Sequence, residues 1–245
     1  MAIFLKKFET TAAYNAAKPN LILPNVSLIT ENNKVEYNPY VPPIIDGHEY
    51  VEIGGIKWAT MNIGANSVTD TGLYFQWGDA SGYTSSQVGT DKTFNWAGYK
   101  YTDGGSLTIT KYNTTDGETV LEASDDAVTA AWGSGWRMPT KDEFGALTSA
   151  TTSAWTADYN GSGVSGLVLT DKTDNTKEIF FPAAGGAWDD IVGDVGSEGS
   201  YWSSRVYSGN VQYAYALTFG RNYVRWNYSY YRDGGRSVRG VVSDN

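Results

Sequence analysis

Only two short stretches of this 245-residue chain carry helix-start signals, and the rest is cut repeatedly by glycine and acid-rich turns. Ser124 is a good cap, followed by Asp125 and Asp126, where negative charge suits a helix N-terminus. Ala127, Val128, Ala130 and Ala131 continue that run to Gly133. Pro139, Thr140 and Glu143 have capping-box spacing, with Phe144 and Leu147 as the apolar face behind them. The other apolar runs are of strand length. Residues 50–58 read as a hairpin turning at Gly54 and Gly55, residues 72–78 as a short aromatic strand, and 167–169 and 179–181 as strands. Gly, Ser, Thr and Asp dominate from residue 79 to about residue 120 and again over 184–200, which are expected to be long loops. Two short helices among short, mostly antiparallel strands make the expected fold class α+β.

Composition narrows the function. Hydrophobic residues reach 41%, enough for a core. No stretch approaches the roughly 20 apolar residues that cross a bilayer. The absence of cysteine excludes disulfides, thiolate metal sites and cysteine nucleophiles, and the single histidine, His48, excludes a multi-histidine zinc site. The N-terminus lacks the apolar core of a secretory signal. A net charge of −9 argues against nucleic acid as a partner. That average hides an asymmetry. From Tyr201 onward six arginines face two aspartates, giving +4, whereas the preceding chain has twelve basic and twenty-five acidic residues, giving −13. Arginine forks to carboxylates and stacks on rings at a lower desolvation cost than lysine, so the +4 segment reads as a recognition face.

Most motif-like features carry no chemistry. Gly161, Gly163 and Gly166 match the dinucleotide fingerprint in letters, but a strand follows them where a helix is required, so they read as a turn. Asp189, Asp190, Asp194 and Glu198 crowd one loop without EF-hand spacing, and no carboxylate pair is singled out for glycoside cleavage. No catalytic residue, cofactor or metal is expected. Residues 1–45, with Pro24, Pro39, Pro42 and Pro43, read as an N-terminal arm ending at a Pro-Pro boundary, and residues 46–245 as one domain.

The segment 201–242 is the most informative. Eight of the 18 tyrosines lie between Tyr201 and Tyr231, accompanied by Asn, Ser, Arg and Gly. This is a paratope-like composition, pairing rigid amphipathic rings with adaptable hydrogen-bonding groups. Alternation puts Tyr213, Tyr215, Leu217 and Phe219 on one strand face; the last two mark that face as core, and Tyr215 goes with them as packing. Arg221, Asn222, Tyr223, Arg225 and Asn227 cannot all be buried without partners, and Tyr228 through Arg232 is too polar for plain core.

A series of motifs also carries a resemblance. Gly135-to-Glu143, Phe181-to-Gly185, Ser200-to-Ser204, Ala214-to-Phe219 and Ser237-to-Val241, preceded by Ile56-to-Gly64, resemble in order the Fibrobacter succinogenes major paralogous domain over roughly residue 50 to the end. That resemblance implies a C-type lectin-like fold with adjacent terminal strands and a loop-rich ligand face. The 201–242 segment is also similar to variable regions of diversity-generating retroelement proteins, in which randomised Asn codons give Tyr, Ser, Asp, Gly or Arg. By this similarity Trp202, Ser203, Leu217, Phe219, Val238 and Arg239 are framework. The ligand-binding set is Arg205, Tyr207, Ser208, Asn210, Tyr213, Arg221, Asn222, Tyr223, Arg225, Trp226, Asn227, Tyr228, Tyr230, Tyr231 and Arg232. The arm resembles segments opening structural proteins of phages that infect Bacteroides-type bacteria. The implied protein is a non-enzymatic adhesin on a virion or tail, assembled in the host cytoplasm. Its partners would be a bacterial surface protein or glycan and, through residues 1–45, virion proteins; display on such an arm implies several copies. The alternative is a glycan-binding adhesin of a bacterial cell surface without diversification. Formylglycine-generating enzymes share the architecture but use cysteines, which this chain lacks.

Overall fold

The computed structural model describes residues 43–243 and, before them, three strands: β1 (Leu5–Phe8), β2 (Asn25–Ile29) and β3 (Val35–Asn38). These three form a sheet in which β1 runs parallel to β2 and β2 antiparallel to β3. The attachment role expected of residues 1–45 otherwise falls on positions outside the described residues.

From residue 43 the chain is α+β, mostly sheet, with two α-helices among the described residues. Strands β4 (Ile44–Ile45), β5 (His48–Ile53) and β6 (Ile56–Asn62) open it. The β5–β6 turn falls on Gly54 and Gly55 as expected, both at positive φ (62° and 78°), a pairing that a tight hairpin requires and that side chains resist. The last strand, β16 (Arg239–Val242), lies between β6 and the short β7 (Trp136–Arg137), so the two ends of this region run side by side.

Helix α1 (Ala127–Trp132) ends at Gly133, but its cap is Asp126 rather than Ser124. The Asp126 carboxylate accepts from the backbone N–H groups of Val128, Thr129 and Met138, so it ties α1 to the segment after it. Helix α2 (Lys141–Ala150) has the expected capping box: Thr140 Oγ1 accepts from Glu143 N, and Glu143 reaches back to Thr140 N. Arg137 grips the same Glu143 carboxylate with two bonds of 2.7 Å, and this holds its pKa below the usual range despite burial. Strands β8 (Thr151–Thr156), β9 (Gly166–Asp171) and β10 (Glu178–Pro182) make an antiparallel sheet that includes both runs expected there.

Two expectations are corrected. Residues 184–200 are not a loop: they form β11 (Ala184–Trp188), β12 (Ile191–Val195) and the start of β13 (Glu198–Val206). Their glycines conceal strand alternation because the backbones approach closely; a Cβ at Gly185 would collide with the Gly193 carbonyl. The aromatic run 72–78 makes only single bridges, Tyr74 to Tyr83 and Phe75 to Arg236, and not a strand.

Strands β14 (Tyr213–Gly220) and β15 (Tyr223–Tyr231) complete a five-stranded sheet of order β12-β11-β13-β14-β15. Both faces of its centre are buried. Tyr201, Leu217 and Phe219 pack with Trp58, Phe144 and Leu147, while Trp202, Ala214 and Ala216 pack with Trp77, Tyr112 and Trp136. The six residues assigned to the framework by resemblance, Trp202, Ser203, Leu217, Phe219, Val238 and Arg239, are all buried. Arg239, fully enclosed, donates to the carbonyls of Ala59, Thr60 and Phe180 and to Asn62 Oδ1, with its guanidinium 4.6 Å from the Phe181 ring. Burial lowers its pKa to about 10, so it stays charged at neutral pH and its charge is held by dipoles and a ring. Replacing it with alanine orphans several buried acceptors and opens a void, so Arg239→Ala is expected to cost about 3 kcal/mol or more, read from the urea unfolding midpoint.

Candidate functional site: the outer edge of the five-stranded sheet

β15 has a neighbour on one side only, β14, which makes it an edge strand. On one sheet face, Tyr223, Arg225, Tyr228 and Tyr230 stand opposite Gly220, Thr218, Ala216 and Ala214. The β14 partners are small, so the large β15 side chains lean across them. The Tyr223 ring lies over Gly220, its hydroxyl donates to Glu198 (2.7 Å), and the Tyr230 hydroxyl bonds Thr218 Oγ1 (2.9 Å). The Arg225 guanidinium sits 5.2 Å from the Tyr223 ring and 5.8 Å from that of Tyr228, which is 5.0 Å from Tyr230. The buried Arg236 guanidinium lies 4.3 Å from the other side of this row, at Tyr230.

A second aromatic group lies at the far end of the strand. Tyr213 stacks on Tyr231 at 4.1 Å, Tyr207 meets Tyr213 and Tyr215 edge-on, and Trp96 meets Tyr231 edge-on at 5.8 Å. The hydrogen bond with Tyr231 and partial burial push the Tyr213 phenol up to about 12; burial, with Glu198 beside it, does the same to Tyr223. Both rings therefore offer neutral hydroxyls across the physiological range.

The expected ligand-binding set divides in three. Ser208, Asn210, Arg221, Asn222, Arg225, Asn227, Tyr228 and Tyr231 are exposed. Arg205, Tyr207, Tyr213, Tyr223, Trp226 and Tyr230 are half-buried. Two of these point inward: Trp226 lies on Gly145 of α2, and Tyr230 packs edge-on against Trp202. Tyr215 is buried, in agreement with its assignment to packing. Arg232 must be corrected. It has no exposed surface, donates to Tyr99 Oη and to the carbonyls of Lys111, Tyr112 and Val211, and lies 4.5 Å from the Trp77 ring. It staples β15 to the 99–112 loop and is not a contact residue. The +4 segment is likewise not one recognition face, because Arg236 and Arg239 are buried with Arg232.

Trp96 and Glu198 belong to the surface by contact and were not identified from the sequence; both come from outside the Tyr-rich segment. Among the described residues no cluster of three metal-ligating side chains occurs. Asp189 and Asp190 lie at the β11–β12 turn, where Asp190 accepts from Thr93 Oγ1 (2.6 Å). Cavities of about 210 Å³ beside His48 and Trp132 and about 420 Å³ beside Gly54 and Lys172 include no residue from 201–243. No protein-family model matches the chain, and no curated protein or solved structure matches it.

Two outcomes follow. Arg225→Ala and Tyr228→Ala should each leave the unfolding free energy within about 0.5 kcal/mol of the parent, whereas Arg232→Ala should lower it by about 3 kcal/mol or more, measured by urea titration. The second concerns Asp233, beside the aromatic edge. Burial raises its pKa from 3.8 to about 6; Asp189 adds to the rise, and Arg236 and local N–H groups oppose it. The folded chain therefore keeps that proton to higher pH than the unfolded chain, and its contribution to stability is lost as pH rises from about 4 through about 6. Asp233→Asn should stabilise the protein by about 1 kcal/mol at pH 7, after allowance for solvent screening, and have little effect at pH 4.

Proposed function

We propose that this is a non-enzymatic recognition protein with a C-type lectin-like fold, whose β15 edge and adjoining loops are a contact surface diversified by a retroelement and carried on a phage tail or virion. The observation that carries this reading is the division of labour within one sheet. β13 and β14 are buried on both faces, while β15 bears the exposed Arg225, Asn227, Tyr228 and Tyr231 on an outer edge where they hold no core. Such side chains can change without loss of the fold, and tyrosines flanked by arginine and asparagine make productive anchors. The architecture is compatible with a lectin-like assignment: two helices, many short strands, and an opening hairpin that pairs with the closing strand. No helix among the described residues is long and apolar enough to cross a membrane.

The test is the same gene from sibling isolates, together with adsorption of the labelled full chain to a panel of Bacteroides strains. Differences should concentrate at positions such as Asn210, Arg221, Arg225, Tyr228 and Tyr231 and spare Trp202, Leu217, Arg232, Arg236 and Arg239. The double variant Arg225→Ala/Tyr228→Ala should weaken adsorption by about 2 kcal/mol or more, the size of a hot-spot loss. Variation spread evenly over the buried strands would sink the diversification reading. An invariant gene with adsorption still dependent on the face would favour an undiversified bacterial surface adhesin.

A further inference from the structure

The unburied arginines of the C-terminal segment differ from most other cations in the described chain. Before residue 201, Lys100, Lys111, Arg137, Lys141 and Lys177 are each ion-paired with a carboxylate. Lys92 and Lys172 donate to Gln76 and to the Ser149 carbonyl, and Lys57 lies over Tyr50. Apart from Lys57, whose ammonium makes only that ring contact, the cations that make no hydrogen bond or ion pair among the described residues are Arg205, Arg221 and Arg225. This occurs in a chain with 27 acidic residues, where carboxylate partners are plentiful. Arg225 is held between two rings with its fork free.

We propose that the β15 edge binds an acidic polysaccharide, Arg225 forking to a carboxylate or sulfate of the polymer while the exposed ring of Tyr228 beside it stacks on a sugar face. This rests on the reading of β15 as a ligand face and adds its ligand class. Charge complementarity selects an anion: a free guanidinium binds carboxylates and tetrahedral oxyanions bidentately. The exposed rings suit a sugar polymer. Among residues 205–232 the exposed large hydrophobic side chains are Tyr228 and Tyr231 (41% and 48% exposed), each offering a flat apolar face with a hydroxyl at its edge. The exposed amides and hydroxyl of β15 and its adjoining turns, Ser208, Asn210, Asn222 and Asn227, can both donate to and accept from sugar hydroxyls. An extended polymer also suits a face that lies outside both cavities.

Affinity electrophoresis of the full chain through gels containing polygalacturonate, dextran sulfate, neutral dextran or polyglutamate tests the proposal. A protein of net charge −9 is repelled by polyanions in general, so retention requires a local basic face. Retardation is expected in the polygalacturonate or dextran sulfate gel, the difference between them identifying carboxylate or sulfate, with none in dextran. Arg225→Gln should weaken retention about tenfold or more, the loss of a charge-assisted hydrogen bond, and Lys172→Gln, away from the face, should not change it. Equal retention by dextran or polyglutamate, or indifference to Arg225→Gln, would overturn the proposal. If Arg225→Ala/Tyr228→Ala abolishes adsorption to cells and neither acidic polysaccharide retains the chain, the ligand face stands and its acidic ligand is wrong. If adsorption survives that double variant, the face itself is wrong.

Discussion

Burial of β13 and β14 on both faces sets the limits for the rest of the sheet. Tyr201 and Trp202 are neighbours in sequence but point into different cores, and Leu217 and Ala216 repeat the arrangement one strand over. Apart from the half-buried Arg205 and Tyr213 toward one end and Glu198 at the other, neither strand has a solvent face on which a residue could vary freely. β15 inherits its position from β14 through the ladder from Gly220–Tyr223 to Tyr213–Tyr231, yet it has no further strand beyond it. The extra residue at Trp226 and Asn227, opposite Leu217, bends the ladder. Trp226 turns down onto Gly145 of α2, and Arg225 and Tyr228 remain on the other side with solvent above them.

The arginines of the C-terminal segment serve two different physical purposes. Arg232, Arg236 and Arg239 are inside, where one guanidinium serves several backbone carbonyls at once. Arg232 donates to Lys111, Tyr112 and Val211, Arg239 to Ala59, Thr60 and Phe180, and Arg236 to Ala187 and Gly235, two carbonyls that also accept from backbone N–H groups. Aromatic faces replace the missing carboxylates: Trp77 under Arg232, Tyr230 under Arg236, Phe181 under Arg239. Arg205, Arg221 and Arg225 carry the same charge outward. Lysine would not serve the inner positions, since its compact ammonium is more strongly hydrated and lacks the planar fork.

How much of this was legible in the sequence depended on whether local chemistry or distant packing decided each feature. The capping box at Thr140 and Glu143, the Gly54–Gly55 hairpin and the core side of Leu217 and Phe219 are local, and alternation or spacing exposes them. The outward face of Arg225 and Tyr228 was legible because so much polar aromatic surface cannot be buried unpaired. Arg232 was not, because its partners are Tyr99 and the 111–112 carbonyls, more than a hundred residues away and in a segment read as plain loop. Strands β11 and β12 were missed for a related reason: glycines chosen for close backbone approach erase the side-chain pattern that identifies a strand. Trp96 reaches Tyr231 from the same long loop, and no periodicity in the sequence predicts that meeting.

The two edges of the five-stranded sheet present a common hazard, since an unpaired strand invites another chain. β12 exposes Ile191 and Val195 but is five residues long and ends in turns at Asp189–Asp190 and Asp194–Gly196, where acid charge discourages a second copy of this acidic chain. β15 is nine residues long and far more vulnerable. It is protected by its bulge, by the exposed Arg221 and Arg225, and by rings that lie across the strand toward β14. The features that keep β15 from pairing indiscriminately are therefore the ones that suit it to contact through side chains instead of backbone. A face built this way can exchange one tyrosine or arginine for another without opening the ladder, provided that the bulge and the buried staple at Arg232 stay in place.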